Sequence, residues 1–137
     1  MNLTTRTRLD DCPADIYARL SDPARLASLN DSMQVIPAGP DAWTVKAQMN
    51  GADVEADLVC TVREAPDRLI YQATAQGLVI TLEFVLSAEG DGTDLAVVLD
   101  FAGASMKGKM LMQGLKLMAP KMQTGLDKMV YKLARPT

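Results

Sequence analysis

Histidine is missing from all 137 residues of this chain. Its absence removes the commonest general base, the commonest proton shuttle near neutral pH and the commonest metal ligand together. Any catalysis would have to run on carboxylates, lysine, tyrosine or cysteine. Cysteine is scarce too: Cys12 and Cys60 match no metal-binding spacing. A reduced thiol pair suits them better than a disulfide. No apolar run approaches the roughly 18 residues that a membrane-spanning helix needs. The opening "MNLTTRTRLDD" has no apolar stretch of the kind that marks a secretory signal, so the cytoplasm is the expected location. Glycine-rich phosphate and dinucleotide loops are absent as well.

What is present is a globular composition with 48% hydrophobic residues. The length fits one domain over residues 1–137, long enough to bury roughly 68% of the surface its unfolded chain exposes. The net charge of −3 hides a split. Residues 1–105 carry seven basic and sixteen acidic side chains, a balance of −9. Residues 106–137 carry Lys107, Lys109, Lys116, Lys121, Lys128, Lys132 and Arg135 against Asp127 alone, a balance of +6. The acidic part argues against nucleic acid as a partner. The basic part leaves two readings. It lies on the acidic part of its own chain, or it faces an external anionic partner.

Periodicity divides the chain into three stretches. "TTRTRL" alternates and predicts a first strand over residues 2–9. Pro13 and Pro23 each suit the first turn of a helix, and Asp22 suits the cap before the second. Two short helices are expected, over 13–20 and 23–29, with Ile16, Leu20, Leu26 and Leu29 inward. From Met33 to Ala102 the period is two. Trp43, Val45, Ala47 and Met49 share one face, and Val54, Ala56, Leu58, Cys60 and Val62 share the next. Asp53, Glu55, Asp57, Thr61 and Arg63 then face solvent. Leu78, Ile80, Leu82, Phe84 and Leu86 follow inward, with Glu83 outward. Val97, Leu99 and Phe101 complete the series, with Asp100 outward. In "EGDGTD", Gly90 and Gly92 are expected to supply the positive φ of a hairpin turn. Six strands with short turns make an antiparallel meander.

After Gly103 the period returns to that of a helix. Leu111, Leu115, Met118, Met122, Leu126, Met129 and Leu133 step by 4, 3, 4, 4, 3 and 4. At about 100° per residue they form one stripe, with the lysines on the other side. One long amphipathic helix is expected, kinked at Pro120, whose missing N–H leaves the Lys116 carbonyl unserved. Met106, Met110, Leu117 and Tyr131 fall among the lysines. Apolar residues there suggest a surface that meets something else.

This order of elements, with "CPADIYARLSDPARLASLN" after the first strand, resembles the START-like or polyketide-cyclase superfamily. "VREAPDRLIYQATAQG" and "SAEGDGTDLAVVLDFAG" sit where that superfamily has its strand four-to-five turn and its last hairpin. The resemblance covers nearly the whole chain. Within the superfamily, "MNGADVEADLVCTVREAPDRLIYQATAQG" and the last helix are most similar to the accessory-subunit family of carbon monoxide dehydrogenase. The "Ile-Pro-Gly" turn typical there reads "VIPAG" here. The resemblance implies an α+β helix-grip (START-like, Bet v 1-like) fold. A seven-stranded antiparallel sheet would wrap around a long C-terminal helix and leave a cavity between them. It also implies binding of a hydrophobic molecule in that cavity.

The residues expected to line that cavity are Trp43, Met49, Leu58, Cys60, Leu82, Phe84, Leu99, Phe101, Leu115, Met118 and Met122. Tyr71 and Thr81 are the expected polar anchors. The same residues would serve as ordinary core if the cavity were filled. Noncatalytic binding of a small hydrophobic or lipid-like ligand is the leading function. An accessory role is the second, with Lys109, Lys116, Lys128, Leu117 and Tyr131 meeting an anionic membrane, an enzyme complex or a second copy of the chain. A cyclase- or dehydratase-like enzyme is the third, since no catalytic residue stands out. Neither a cofactor nor a metal is expected. The row Asp53, Glu55 and Asp57 reads as a solvated strand face.

Overall fold

The computed structural model describes residues 1–25, 27, 32–49 and 51–135, with Met49 described in its backbone alone. Its strands are β1 (Asn2–Leu9), β2 (Gln34–Gly39), β3 (Ala42–Met49), β4 (Ala52–Glu64), β5 (Arg68–Ala75), β6 (Leu78–Glu89) and β7 (Gly92–Gly103). Its helices are α1 (Pro13–Leu20), α2 (Met106–Leu117) and α3 (Ala119–Ala134). The seven strands form one antiparallel sheet in the order β1-β7-β6-β5-β4-β3-β2. Strands β2 to β7 are successive hairpins, and β1 closes the far edge against β7. Bounds for the first strand and first helix match the periodicity. The second short helix, with Leu26 and Leu29, lies largely outside the described residues.

Alternation decides which face is buried. Leu69, Phe84, Leu95 and Val97 are fully buried on the inner face, together with Ile16 and Leu20 of α1. From α3, Leu126, Val130, Leu133 and Ala134 close the same core. Each such aliphatic side chain stabilises by about 1.5–3 kcal/mol. Helices α2 and α3 lie over β6, β7 and β1. The end of α3 is held from α1 and the chain just after it. Arg19 donates to the Ala134 carbonyl at 3.0 Å and Arg25 to the Arg135 carbonyl at 2.8 Å. Cations there also suit the negative end of the helix.

The C-terminal helix is broken rather than kinked. Met118, with φ −96° and ψ 3°, separates α2 from α3. Pro120 falls in the first turn of α3, where its missing N–H costs nothing. The break resets the helical phase, and so it corrects the expected single stripe. Helix α2 buries Gly108 and Met112 and half-buries Leu115. Leu111 is 36% exposed and Met118 43% exposed, so neither faces inward.

Gly92 is a second correction. Only Gly90 of that hairpin has positive φ, at 61°. Gly92 is needed for space: a Cβ there would collide with the Leu9 carbonyl oxygen of β1. A similar close approach starts α2. A Cβ on Gly108 would run into the carbonyl of Gly77, in the β5–β6 turn.

Candidate functional site

Cross-strand register places the site residues in rows. Trp43 is opposite Leu58, and Leu58 is opposite Ala73. Cys60 is opposite Tyr71, and Tyr71 is opposite Leu82. Leu82 meets Leu99, and Phe101 meets Ile80. Paired residues share a face of an antiparallel sheet, so these side chains form one inner wall. Trp43 packs edge-on against Tyr71, with ring centroids 6.1 Å apart. Phe84 does the same from the other side at 6.4 Å.

Sheet and helices enclose a cavity of about 70 Å³. Leu58, Tyr71, Leu82 and Phe84 line it from the sheet, Met129 and Leu133 from α3, and Leu20, Asp22 and Pro23 from the end of α1. Four of the expected ligand residues therefore meet at one void. Leu99, Phe101, Leu115 and Met122 pack in the surrounding core. Met118 is partly exposed, at 43%, and the side chain of Met49 lies outside the described residues. Thr81 is a correction. It stands opposite Gln72 and Asp100, on the outer face, because it alternates with inward Ile80 and Leu82. A larger open trough of about 600 Å³ at the far end of β2, β3 and β4 has, among its described lining residues, none of the expected ligand residues.

One residue on this wall was hidden by a register shift. Strand β4 carries a bulge between Cys60 and Val62. Beyond it Val62 is opposite the outward Ile70, and Arg63 is opposite the buried Leu69. Strict alternation sends Val62 inward and Arg63 outward; the bulge exchanges them, as bulges re-aim side chains. Arg63 then sits beside the Cys60–Tyr71 pair at the edge of the wall. Its Nε and Nη2 both lie 2.8 Å from Asp41 Oδ1, on the β2–β3 turn. Nothing in the local composition signals the bulge.

The two acid–base candidates are both held protonated. The Tyr71 hydroxyl donates to the Leu20 carbonyl at 2.7 Å, serving an end carbonyl of α1. Burial, then the nearby Cys60, pushes its pKa well above the usual tyrosine value. Burial also pushes the Cys60 thiol up, against the opposing pull of Arg63. The thiol donates weakly to the Val62 carbonyl at 3.5 Å. Neither group is a ready nucleophile or base. Glu83 faces outward and pairs with Arg68 at 2.7 Å. Among the described residues, no three histidine, cysteine or carboxylate side chains come together as metal ligands. No described helix is long and apolar enough to cross a membrane.

The expected partner face divides. Lys109, Lys116 and Leu117 share α2, and all three are exposed. Lys128 and Tyr131 are exposed on α3, where Arg135 stacks 3.7 Å over the Tyr131 ring. Among the described residues, no lysine of either helix forms an ion pair. The basic stretch is therefore not neutralised by direct pairing with the acidic sheet.

No protein-family model and no curated protein matches the sequence. Solved structures match its fold. A protein from Thermus thermophilus superposes with a TM-score of 0.69 at 15% identity, covering 98% of this chain and 94% of its own. A START superfamily protein from Mycobacterium smegmatis gives 0.63 at 14%, covering 93% and 98%. The protein Ara h 8.0201 gives 0.64 at 14%, covering 96% and 98%. At such identities the likeness is one of fold. This chain has the helix-grip fold of START-like and Bet v 1-like proteins.

Proposed function

We propose that the protein binds a small hydrophobic, lipid-like molecule between the inner face of the sheet and the C-terminal helices, without chemical conversion. The observation that carries this reading is the wall itself. Among the described residues its lining of the void is apolar except for Tyr71 and Asp22, with Arg63 at its edge. Ligand sites are commonly concave and apolar with few polar groups. The helix-grip fold of the neighbours supports the same placement. Noncatalytic binding is favoured because Tyr71 and Cys60 both keep their protons.

A void of about 70 Å³ is well below the roughly 300 Å³ that small-molecule sites start from. Binding therefore requires the wall to yield. Met129 on the void and Met122 in the surrounding core suit that, because unbranched thioether chains repack easily. Burying about 200 Å² of apolar ligand surface would contribute about 5 kcal/mol before ordering costs. Native mass spectrometry of freshly purified protein, with solvent extraction, tests the reading. A defined apolar molecule carried along is expected. An apo mass, with no thermal shift across fatty acids, sterols and polycyclic aromatics, would overturn it.

A further inference from the structure

We propose that the outward face of α2 docks on an anionic lipid bilayer. Gly108, Met112 and Leu115 point α2 toward the sheet. On the opposite pole lie Met106, Met110 and Leu117, within about 40° of one another at about 100° per residue. They are 81%, 73% and 86% exposed. Helix α2 is thus apolar on two opposite sides, and only the inner one is covered by its own chain.

Lysines occupy the boundaries. Lys109 and Lys116 flank the outward pole on one side and Lys107 on the other, each roughly 80–100° away by the same count. The helix has no acidic residue. Long lysine stems at that angle lie along an apolar surface while the ammonium reaches the headgroups. An apolar stripe between two cationic margins is the pattern of a helix lying in a bilayer interface. The narrow outward pole, about 18 Å long at 1.5 Å per residue, offers no groove for a peptide. A second copy of the chain is disfavoured by charge, because facing two such helices would bring six unpaired lysines together.

Sedimentation of the full chain with vesicles tests the proposal. Phosphatidylcholine vesicles are compared with vesicles in which a third is phosphatidylglycerol. Binding to the anionic vesicles is expected to exceed binding to the neutral ones, and to weaken with salt. Replacing Lys107, Lys109 and Lys116 together by Glu should weaken it by at least roughly a hundredfold. Leu117→Glu should abolish it while melting like the parent, since that side chain is not part of the core. Leu117→Trp should shift its emission to the blue with anionic vesicles only, measured against the Trp43 background. No anionic binding by the parent would overturn the proposal and leave the face to a protein partner. Binding that survives Leu117→Glu would overturn it too, as would a dimer that this change dissolves. Apolar ligand binding is read separately by mass spectrometry, so either result stands without the other.

Discussion

Replacing Gly108 by alanine should destabilise the protein, although alanine is normally favoured over glycine within a helix by about 1 kcal/mol. The added Cβ would meet the Gly77 carbonyl oxygen and carbon, and both are backbone atoms. No rotamer change relieves such a contact. Gly77 is itself constrained, with φ +79° and its carbonyl accepting from the Ala104 N–H at 2.7 Å. The start of α2 would have to lift. That would disturb the cap in which the Gly108 N–H donates to Ser105 Oγ at 3.1 Å. Overpacking costs about 1–3 kcal/mol and a lost cap about 1. Set against the propensity gain, a net loss of about 1–3 kcal/mol is expected. Gly114 and Gly125 are internal controls, since a Cβ at either meets nothing within 4 Å. Alanine there should stabilise by about 0.5–1 kcal/mol. Urea unfolding separates the cases. With a slope near 2 kcal/mol per molar, Gly108→Ala lowers the midpoint by about 1 M and the controls raise it slightly. If all three variants are equally stabilised, α2 does not press on the β5–β6 turn.

Tyr71→Phe strands the Leu20 carbonyl and should cost about 1–3 kcal/mol at neutral pH. Its pH dependence has a definite sign. The folded hydroxyl keeps its proton while the unfolded one ionises near pH 10, so this contribution is complete below about pH 10 and falls above it. Urea midpoints of parent and variant at pH 8 to 11 should therefore converge at the alkaline end, and a constant gap would contradict the role given to burial. Phe84→Ala removes a fully buried ring beside the void, at a cost of about 3–5 kcal/mol. If the wall holds its shape, benzene should raise the melting temperature of this variant and not that of the parent; no rise would mean that the wall collapses. In hydrogen exchange followed by mass spectrometry, the amides of α2 should exchange before those of α3, and the reverse order would show that α2 is the better anchored helix.

The inner wall was legible because alternation is strict where strands pair without interruption. Trp43, Leu58, Tyr71, Leu82 and Phe84 all follow from a period of two. The same rule sends Thr81 outward, and the polar anchor that a cavity would welcome does not cross the sheet to supply it. Two events escaped because they change phase without a compositional mark. The bulge after Cys60 turns Arg63 onto the wall, and no glycine or proline announces it. The break at Met118 lies two residues before Pro120, so the proline marks a helix start rather than a bend. A stripe counted across that break carries the wrong phase into α2. It therefore includes Leu111 and Met118, which lie on the flank and are partly exposed, and misses Met112, which is buried. Whether the wall encloses space is set by side-chain packing summed over many residues, which no local pattern encodes.

The two C-terminal helices are unequally anchored, and the one that lines the void, through Met129 and Leu133, is α3. Helix α3 buries Leu126, Val130, Leu133 and Ala134. Three of these are large aliphatics, so lifting α3 would cost about 5–9 kcal/mol, before its hydrogen bonds to Arg19 and Arg25 are counted. Helix α2 buries only Met112 fully among its larger side chains, with Leu115 partly buried. Lifting it would cost about 2–5 kcal/mol. A ligand burying about 200 Å² recovers about 5 kcal/mol. That sum only meets the low end of the cost of lifting α3, so a ligand at this void is accommodated by repacking of side chains such as Met129 rather than by moving the helix. The break at Met118 separates the two helices, and the Gly77–Gly108 contact seats the start of α2 on the β5–β6 turn. The outward Met106, Met110 and Leu117 are carried on this same helix. A bilayer that engaged them would act on the helix that is cheaper to move, whereas the void lies against α3, at Met129 and Leu133.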